Sequence, residues 1–142
     1  GSGPERKKVK ELAETSPHSH RIYFISGISD TDKFNYLNHC LFSVYPSKGE
    51  GFGIPIIESF LCEKPIILSD TEIHKEVAGD AGIYFTSNST DDLAEKIIAV
   101  NSSALQYQNE KAQARLKCFE GNKLYPSIID IYFSLIERTP RI

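Results

Sequence analysis

A glycine-rich stretch between two apolar runs constrains this chain of 142 residues more than any other feature. The apolar run 41–45 gives way to three glycines within five residues, Gly49, Gly51 and Gly53. Glycines let a ligand approach the main chain, and Pro55 suits the first turn of a helix, where a missing N–H costs nothing. The sequence therefore predicts a strand, a glycine turn and a helix that begins near Pro55.

The orientation of this helix suggests what the turn could bind. Its free N–H groups and the positive end of its dipole point back toward the glycines, so a phosphate is expected near Gly53 and Ile54. Two carboxylates flank the turn, Glu50 on the loop and Glu58 in the helix. A carboxylate accepts two hydrogen bonds side by side, which suits the paired hydroxyls of a ribose. The alternative is a corner whose glycines serve packing alone.

The residues around the turn resemble the Glu-x7-Glu signature of retaining glycosyltransferases with the GT-B fold, the family 4-like or group 1 transferases. The matching segments follow one another along the chain as Pro46-Ser47, Glu50 to Pro55, Glu58, Pro65 to Ile67 and Glu76 to Gly82. The resemblance implies a metal-independent hexosyltransferase of polysaccharide biosynthesis. Such an enzyme moves a hexose from a nucleoside diphosphate sugar to a saccharide or lipid-linked acceptor, with no separate cofactor.

The resemblance also implies a role for the residues of the motif. Glu50, the expected catalytic residue, would contact the donor sugar, and Glu58 would hold the ribose hydroxyls. The N–H groups at Gly53 and Ile54 would hold the departing phosphate. The residues expected to bind the donor are Glu58, Gly51, Phe52, Gly53, Ile54 and Ile28.

Ile28 enters this set from a segment before the glycine turn. Residues 20–26 are rich in Ile, Tyr and Phe and predict a strand, and Ser29-Asp30 offers an N-cap for a helix to about residue 38. In the family, the end of this strand forms the nucleobase pocket, so the Ile28 backbone would contact the base, with Asp30 or Lys33 at its edge. Asp30 as a plain N-cap and Lys33 as a plain surface lysine are the alternatives.

Strand-like and helix-like segments alternate along the chain, which predicts an α/β domain. The strand-like runs are 22–25, 41–45, 66–68 and 83–85, and further helices are expected after residue 91 and over 126–137. This order is typical of a Rossmann-like parallel sheet with helices on both faces and ligands beyond the carboxyl ends of the strands.

The resemblance implies that the single expected domain, residues 1–142, is the C-terminal half of a GT-B fold. We expect it to lack its first strand-helix-strand, the basic pair that holds the donor diphosphate in relatives, and the N-terminal half that binds the acceptor. The chain alone should then be inactive. A turn over residues 1–4, Gly-x-Gly-Pro, matches the family as well.

Composition excludes several other classes of protein. With 40% hydrophobic and 25% charged residues the chain is typical of a soluble domain, and no apolar run is long enough to span a bilayer. A net charge of -3 and scattered basic residues argue against nucleic-acid binding. No secretory signal is visible, so we expect a cytoplasmic protein that associates peripherally with the membrane, if at all, through its full-length form.

Metal and redox chemistry find little support in the sequence. Three cysteines, Cys40, Cys62 and Cys118, lie far apart and form no Cys-x-x-Cys pair, so we expect them reduced and buried. Four histidines fall in different segments, and His74 is expected at the surface. Two functional alternatives stay open at this point: a binding module that catalyses no reaction, and a sugar-nucleotide epimerase with the GT-B fold.

Overall fold

The structure, a computed structural model, describes residues 5–102 and 108–119. The chain forms two compact units, Gly1–Lys33 and Phe34–Ile142. The predicted turn over residues 1–4 and the predicted helix over 126–137 lie outside the described residues.

The first unit differs from expectation in one element. Helix α1 spans Arg6–Glu14, but Ser19–Arg21 forms a 3-10 helix and residues 22–26 pair with no strand among the described residues. The predicted strand over 20–26 is therefore wrong, because β-propensity alone makes no strand without a hydrogen-bonded neighbour. Helix α2, Asp30–His39, begins as predicted after Ser29, whose hydroxyl accepts the Asp32 N–H at 3.1 Å.

Three parallel strands build the sheet of the second unit, in the order β1-β2-β3. They are β1, Ser43–Tyr45, β2, Ile66–Ser69, and β3, Ile83–Phe85. Ser43 lies opposite Ile66, and Ile67 lies opposite Ile83. All four residues of β2 are buried, as expected for the middle strand of a parallel sheet covered on both faces.

Four helices accompany the sheet: α3, Ile54–Leu61, α4, Glu72–Ala78, α5, Thr90–Asn101, and α6, Asn109–Leu116. Short 3-10 helices cover Gly79–Ala81 and Lys117–Phe119. On one face Ile66 and Leu68 pack into a core with residues of α3, α4 and α6. Ile67 points the opposite way, and α5 packs against β2 and β3. The prediction of a parallel α/β sheet with helices on both faces is confirmed.

The three cysteines form no disulfide. Cys40 and Cys62 are half-buried, and desolvation raises the pKa of both thiols. Cys118 is exposed, so the expectation that all three are buried is wrong for this residue. It lies in the last 3-10 helix, where only the neighbouring Phe119 is packed against the core.

Candidate functional site

The predicted glycine turn joins β1 to α3. Gly53 is the N-cap of α3 and has φ +86°, a left-handed conformation that side chains disfavour. A Cβ at this position would lie 3.0 Å from Cδ1 of Ile56, so a larger residue would also have to displace that side chain by a few tenths of an ångström. Pro55 occupies the first turn of the helix, as predicted. Local geometry therefore explains both the glycine and the proline.

The N-terminus of α3 is left open by the chain itself. No side chain caps it, and in the described part of the chain no acceptor bonds the N–H groups of Gly53 or Ile54. Nothing lies within 4 Å of the position where a Cβ of Gly49 or Gly51 would be. Gly53 itself is buried, whereas Gly51, Phe52 and Ile54 around it are exposed. A helix N-terminus with unbonded N–H groups can hold an anion.

Both ends of the turn are tied together behind this opening. The hydroxyls of Ser43 on β1 and Ser59 on α3 lie 2.7 Å apart and share a hydrogen bond. Ser59 is buried, and the Ser43 N–H donates to the carbonyl of Pro65, just before β2. The strand before the turn and the helix after it are thereby fixed to each other and to the sheet.

Glu50 projects from the loop into solvent and is held by two neighbours. The Ser47 hydroxyl donates to its Oε1 at 2.6 Å. This bond, and a second one with the Tyr45 hydroxyl, hold the pKa of Glu50 below its usual value. Burial, followed by the hydrogen bond with Glu50, raises the pKa of Tyr45 to about 12. At neutral pH Glu50 is a carboxylate with a defined orientation.

The other predicted donor-binding residues of the second unit lie on the same turn and helix. Glu58 is half-buried in the second turn of α3, whereas Gly51, Phe52 and Ile54 are exposed. The Phe52 ring meets Phe119 edge to face, with 5.4 Å between the ring centroids. The structure thus places Glu50 in the loop before α3 and Glu58 in the second turn of that helix.

Ile28 belongs to the first unit, where its side chain is 42% exposed. Within that unit Asp30 pairs with Lys33 at 2.9 Å, and Ser29, rather than Asp30, caps the helix. The assignment of Ile28 to the nucleobase stays a prediction.

His74 is a candidate residue whose position differs from the prediction. It is 0% exposed, so the prediction of a surface histidine is wrong. The cause is the short α4, whose Thr71 cap directs its third residue inward, below the end of β2. His74 Nδ1 lies 2.9 Å from the Ser69 carbonyl oxygen and 3.1 Å from Ser69 Oγ, and the ring packs on Tyr45 with 5.3 Å between centroids.

The contacts among Ser69, His74 and Tyr45 had one signal in the sequence, which was a polar residue at the end of an apolar strand. Ser69 ends β2, and its hydroxyl donates to the Ser47 carbonyl in the glycine loop. A cavity of about 150 Å³ also opens at this edge and is reached by Pro46, Ser69 and Phe85 from the ends of the three strands. Parallel sheets place ligands at this edge.

The fold and the turn have a match among known families. The model of the family described as glycosyl transferases group 1 matches residues 1–117. The chain belongs to this family. Its membership confirms the resemblance carried by the segment between Pro46 and Gly82.

Two curated glycosyltransferases illustrate the relationship. An uncharacterized glycosyltransferase of Methanocaldococcus jannaschii is 27% identical over 139 residues, which are 95% of this chain and 39% of the relative. The O-antigen chain mannosyltransferase B of Escherichia coli is 32% identical over 96 residues, which are 68% of this chain and 25% of the relative. This glycosyltransferase chain therefore spans well under half the length of these relatives.

A solved structure has the same fold. The sucrose-phosphate synthase from Thermosynechococcus elongatus superimposes with a TM-score of 0.80 at 19% sequence identity, over 98% of this glycosyltransferase chain and 36% of the synthase. This likeness confirms the predicted Rossmann-like half of a GT-B fold.

Two kinds of feature are missing from the described residues. No helix in residues 5–102 or 108–119 has the length and apolarity needed to cross a bilayer. The same residues contain no cluster of three or more His, Cys, Asp or Glu side chains able to hold a metal ion.

Proposed function

We propose that this chain is the donor-binding part of a retaining glycosyltransferase that moves a hexose from a nucleoside diphosphate sugar to a saccharide or lipid-linked acceptor. The observation that carries the proposal is the open N-terminus of α3, which lies inside the family motif between Glu50 and Glu58. The opening accepts an anion, and a nucleoside diphosphate sugar presents a diphosphate between two sets of hydroxyls. The proposal therefore assigns one part of the ligand to each part of the site.

In the proposed complex the diphosphate lies at the N–H groups of Gly53 and Ile54. Negative charge builds on the departing diphosphate as the bond to the sugar breaks. Fixed N–H dipoles that point at this charge stabilise it without reorganising, which is the catalytic contribution available from this chain. The step as proposed uses these dipoles and requires no metal ion.

The two carboxylates hold the hydroxyls on either side of the diphosphate. Glu58 accepts hydrogen bonds from the ribose, and Glu50 accepts them from the donor sugar. The low pKa of Glu50 supports this role, since the side chain remains an acceptor throughout the physiological range. The backbone at Ile28 would contact the nucleobase, and Gly51 and Phe52 would line the turn.

The sugar and acceptor classes are supported by the relatives. The Escherichia coli relative is named as a mannosyltransferase of O-antigen chains, which supports a hexose donor and a saccharide acceptor. We further propose that the acceptor site and the basic residues that complete the diphosphate site lie in the remainder of a longer protein. That protein would work in the cytoplasm, where it meets its donor, or at the cytoplasmic face of the membrane.

Titration calorimetry with this chain tests the donor site. The panel contains UDP, GDP, UDP-glucose, GDP-mannose and inorganic pyrophosphate. We expect one nucleobase to be preferred, and its nucleoside diphosphate to bind more tightly than pyrophosphate because Glu58 and the base contribute. Equal binding of pyrophosphate and every nucleotide would identify a general anion site instead. Absence of binding across the panel would contradict the proposal.

A further inference from the structure

His74 carries an unusual feature for a residue outside the family motif. Its Nε2 is buried and bonds to no partner among the described residues. A buried acceptor without a donor is destabilising, because it loses its hydrogen bonds to water and gains none in the protein. Few buried polar atoms in native proteins lack a hydrogen bond, and those that do often belong to functional sites.

The hydrogen bonds around Ser69 determine which ring nitrogen is protonated. A serine hydroxyl has one proton, and Ser69 donates it to the Ser47 carbonyl. Nδ1 of His74 must then be the donor to Ser69, since its neighbours there are a carbonyl oxygen and a hydroxyl that has already donated. The neutral imidazole therefore carries its proton on Nδ1, and Nε2 is the bare acceptor.

From His74 a continuous series of contacts leads to Glu50. Nδ1 donates to Ser69, Ser69 donates to the main chain of Ser47, and the Ser47 side chain donates to Glu50 at 2.6 Å. Tyr45 also packs on the imidazole, with 5.3 Å between the ring centroids. The hydrogen-bonded route reaches an exposed carboxylate from a wholly buried ring.

Packing alone would favour a different residue at position 74. His74 is 0% exposed and lies on the same buried face of α4 as Val77 and Ala78, where an aliphatic residue would leave no polar atom unsatisfied. What histidine supplies and leucine does not is the Nδ1 donor to Ser69. We infer that the hydrogen bond from Nδ1 orders the loop that carries Glu50, and that this ordering offsets the unfavourable free energy of the unbonded Nε2.

We propose that His74 is a positioning residue, which fixes the orientation of Glu50 toward the donor sugar through Ser69 and Ser47. This inference rests on the proposed function for its ligand, since it assumes that Glu50 contacts the sugar. It differs from that function in naming a buried residue, outside the turn, as a determinant of sugar binding.

Three variants and a matched control test the proposal. His74→Leu removes the Nδ1 donor, and Ser69→Ala breaks the next link. His74→Asn keeps a side-chain N–H at the place of Nδ1. The control is Tyr84→Phe, which removes the hydrogen bond that the Tyr84 hydroxyl donates to the Gly79 carbonyl at 2.7 Å and leaves the route to Glu50 intact.

The first measurement is the affinity for GDP-mannose and UDP-glucose relative to GDP and UDP. Loss of one positioning hydrogen bond should weaken sugar-nucleotide binding about tenfold in His74→Leu and Ser69→Ala, with little change for the free nucleoside diphosphates. His74→Asn and Tyr84→Phe should keep the parent ratio. Equal weakening of both ligand classes in His74→Leu would show a general structural role and overturn the proposal.

The second measurement needs no ligand, so it separates failure of this inference from failure of the proposed function. Amide hydrogen exchange over residues 48–51 and the pKa of Glu50 are measured by NMR. In His74→Leu we expect faster exchange and a Glu50 pKa closer to the usual value, and we expect His74→Asn to restore both. Parent-like exchange and pKa in His74→Leu would overturn the proposal, even if the chain binds every donor in the panel.

Discussion

The turns that follow β1 and β3 both lead from the sheet into a helix, but they differ in whether side chains accept hydrogen bonds from their main-chain N–H groups. After β3, side chains close the turn: Ser89 accepts from the Asp92 N–H at 3.2 Å, and Asp92 accepts from the Thr86 N–H at 2.7 Å. Asp70, which follows β2, accepts from the Ser87 N–H at 2.9 Å. The pKa values of Asp70 and Asp92 are lowered chiefly by these main-chain donors.

After β1 the turn has glycines in place of such side chains. The N-cap is Gly53, and no hydroxyl or carboxylate of the described residues reaches the N–H groups behind it. Glu50, the carboxylate of this loop, accepts a hydrogen bond from Ser47 and is exposed. The difference teaches that the side chains of the turn after β3 bond its N–H groups and stabilise the fold, whereas in the described residues the turn after β1 leaves these groups unbonded, as the proposed donor site requires.

The largest expected effect concerns turnover, because an open turn is sufficient for binding and insufficient for catalysis. This chain alone should show no detectable multiple-turnover sugar transfer, while the longer protein should be active without added divalent metal. Losing preorganised donors costs on the order of a hundredfold each, and the gain from holding an acceptor is lost too. Radiolabelled sugar transfer measures both.

Two results would contradict this expectation. Transfer by residues 1–142 alone would show that the open turn needs no further residues. Loss of activity in the longer protein on adding a chelator would overturn the metal-free mechanism.

Glu58→Ala should have the next largest effect. If Glu58 holds both ribose hydroxyls, nucleoside diphosphate binding should weaken by about 1.5 to 3 kcal/mol, the usual range for hydrogen bonds to a charged group. Titration calorimetry with ribose and 2'-deoxyribose nucleotides tests this role. The parent should prefer ribose and the variant should not, and a parent without that preference would remove Glu58 from the ribose site.

Gly53→Ala should close the open turn by distorting it. The Cβ would meet Ile56 at 3.0 Å, in a backbone conformation that costs alanine about 1 kcal/mol. Nucleotide binding should weaken about tenfold because the N–H groups shift, as measured by calorimetry. Gly49→Ala is the matched control, since its Cβ would enter open space and binding should stay near the parent value. Parent-like binding in Gly53→Ala would place the ligand elsewhere.

Ser89→Ala, in the turn after β3, should lower the stability of the fold and leave nucleotide binding nearly unchanged, the reverse of Gly53→Ala. Loss of this N-cap should lower the free energy of unfolding by about 1 kcal/mol, measured by urea denaturation, and leave nucleotide affinity within about twofold. Ser102→Ala, at the exposed other end of α5, controls for the loss of a serine hydroxyl. If Ser89→Ala weakened nucleotide binding as strongly as Gly53→Ala, the contrast between the two turns would be wrong.

The smallest effect concerns pH. Ser47→Ala removes the main cause of the low pKa of Glu50, so that pKa should rise toward the usual value. A carboxyl with a lowered pKa stays ionised as the pH falls, and sugar-nucleotide affinity should persist until the pH reaches that lowered value. In Ser47→Ala the affinity should be lost at a higher pH than in the parent. Calorimetry across the acidic range, with NMR titration of Glu50, would detect this; coincident pH profiles would refute it.

The parts of the fold that local signals specify were predictable from the sequence. Gly53 and Pro55 determine the turn and the start of α3, and the apolar run before Asp70 determines β2. Residues 20–26 carry the same kind of β-favouring side chains and yet form no strand, because pairing depends on a neighbour that the local sequence does not encode.

The residues of the candidate site also fall into those that a local sequence pattern predicts and those that it does not. Glu50 and Glu58 could be found from their spacing around the glycines, which is a local pattern. The polar Ser69 at the end of an apolar strand was a local signal, but the contacts of Ser69 and His74 with the loop could not be predicted. The loop residues that they contact lie more than 20 positions earlier in the chain. Their contribution depends on the register of β2 beside β1 and on the inward direction of α4, both of which are tertiary properties.

The hydrogen bond between Ser43 and Ser59 has a consequence for the entropy of binding. It joins the strand before the open turn to the helix after it, so the two ends of the turn are held at a fixed separation whether or not a ligand is present. A loop anchored in this way has less conformational freedom to lose on association than one that must first be ordered. More of the interaction free energy of the diphosphate then appears as affinity, and the turn can remain open without becoming flexible.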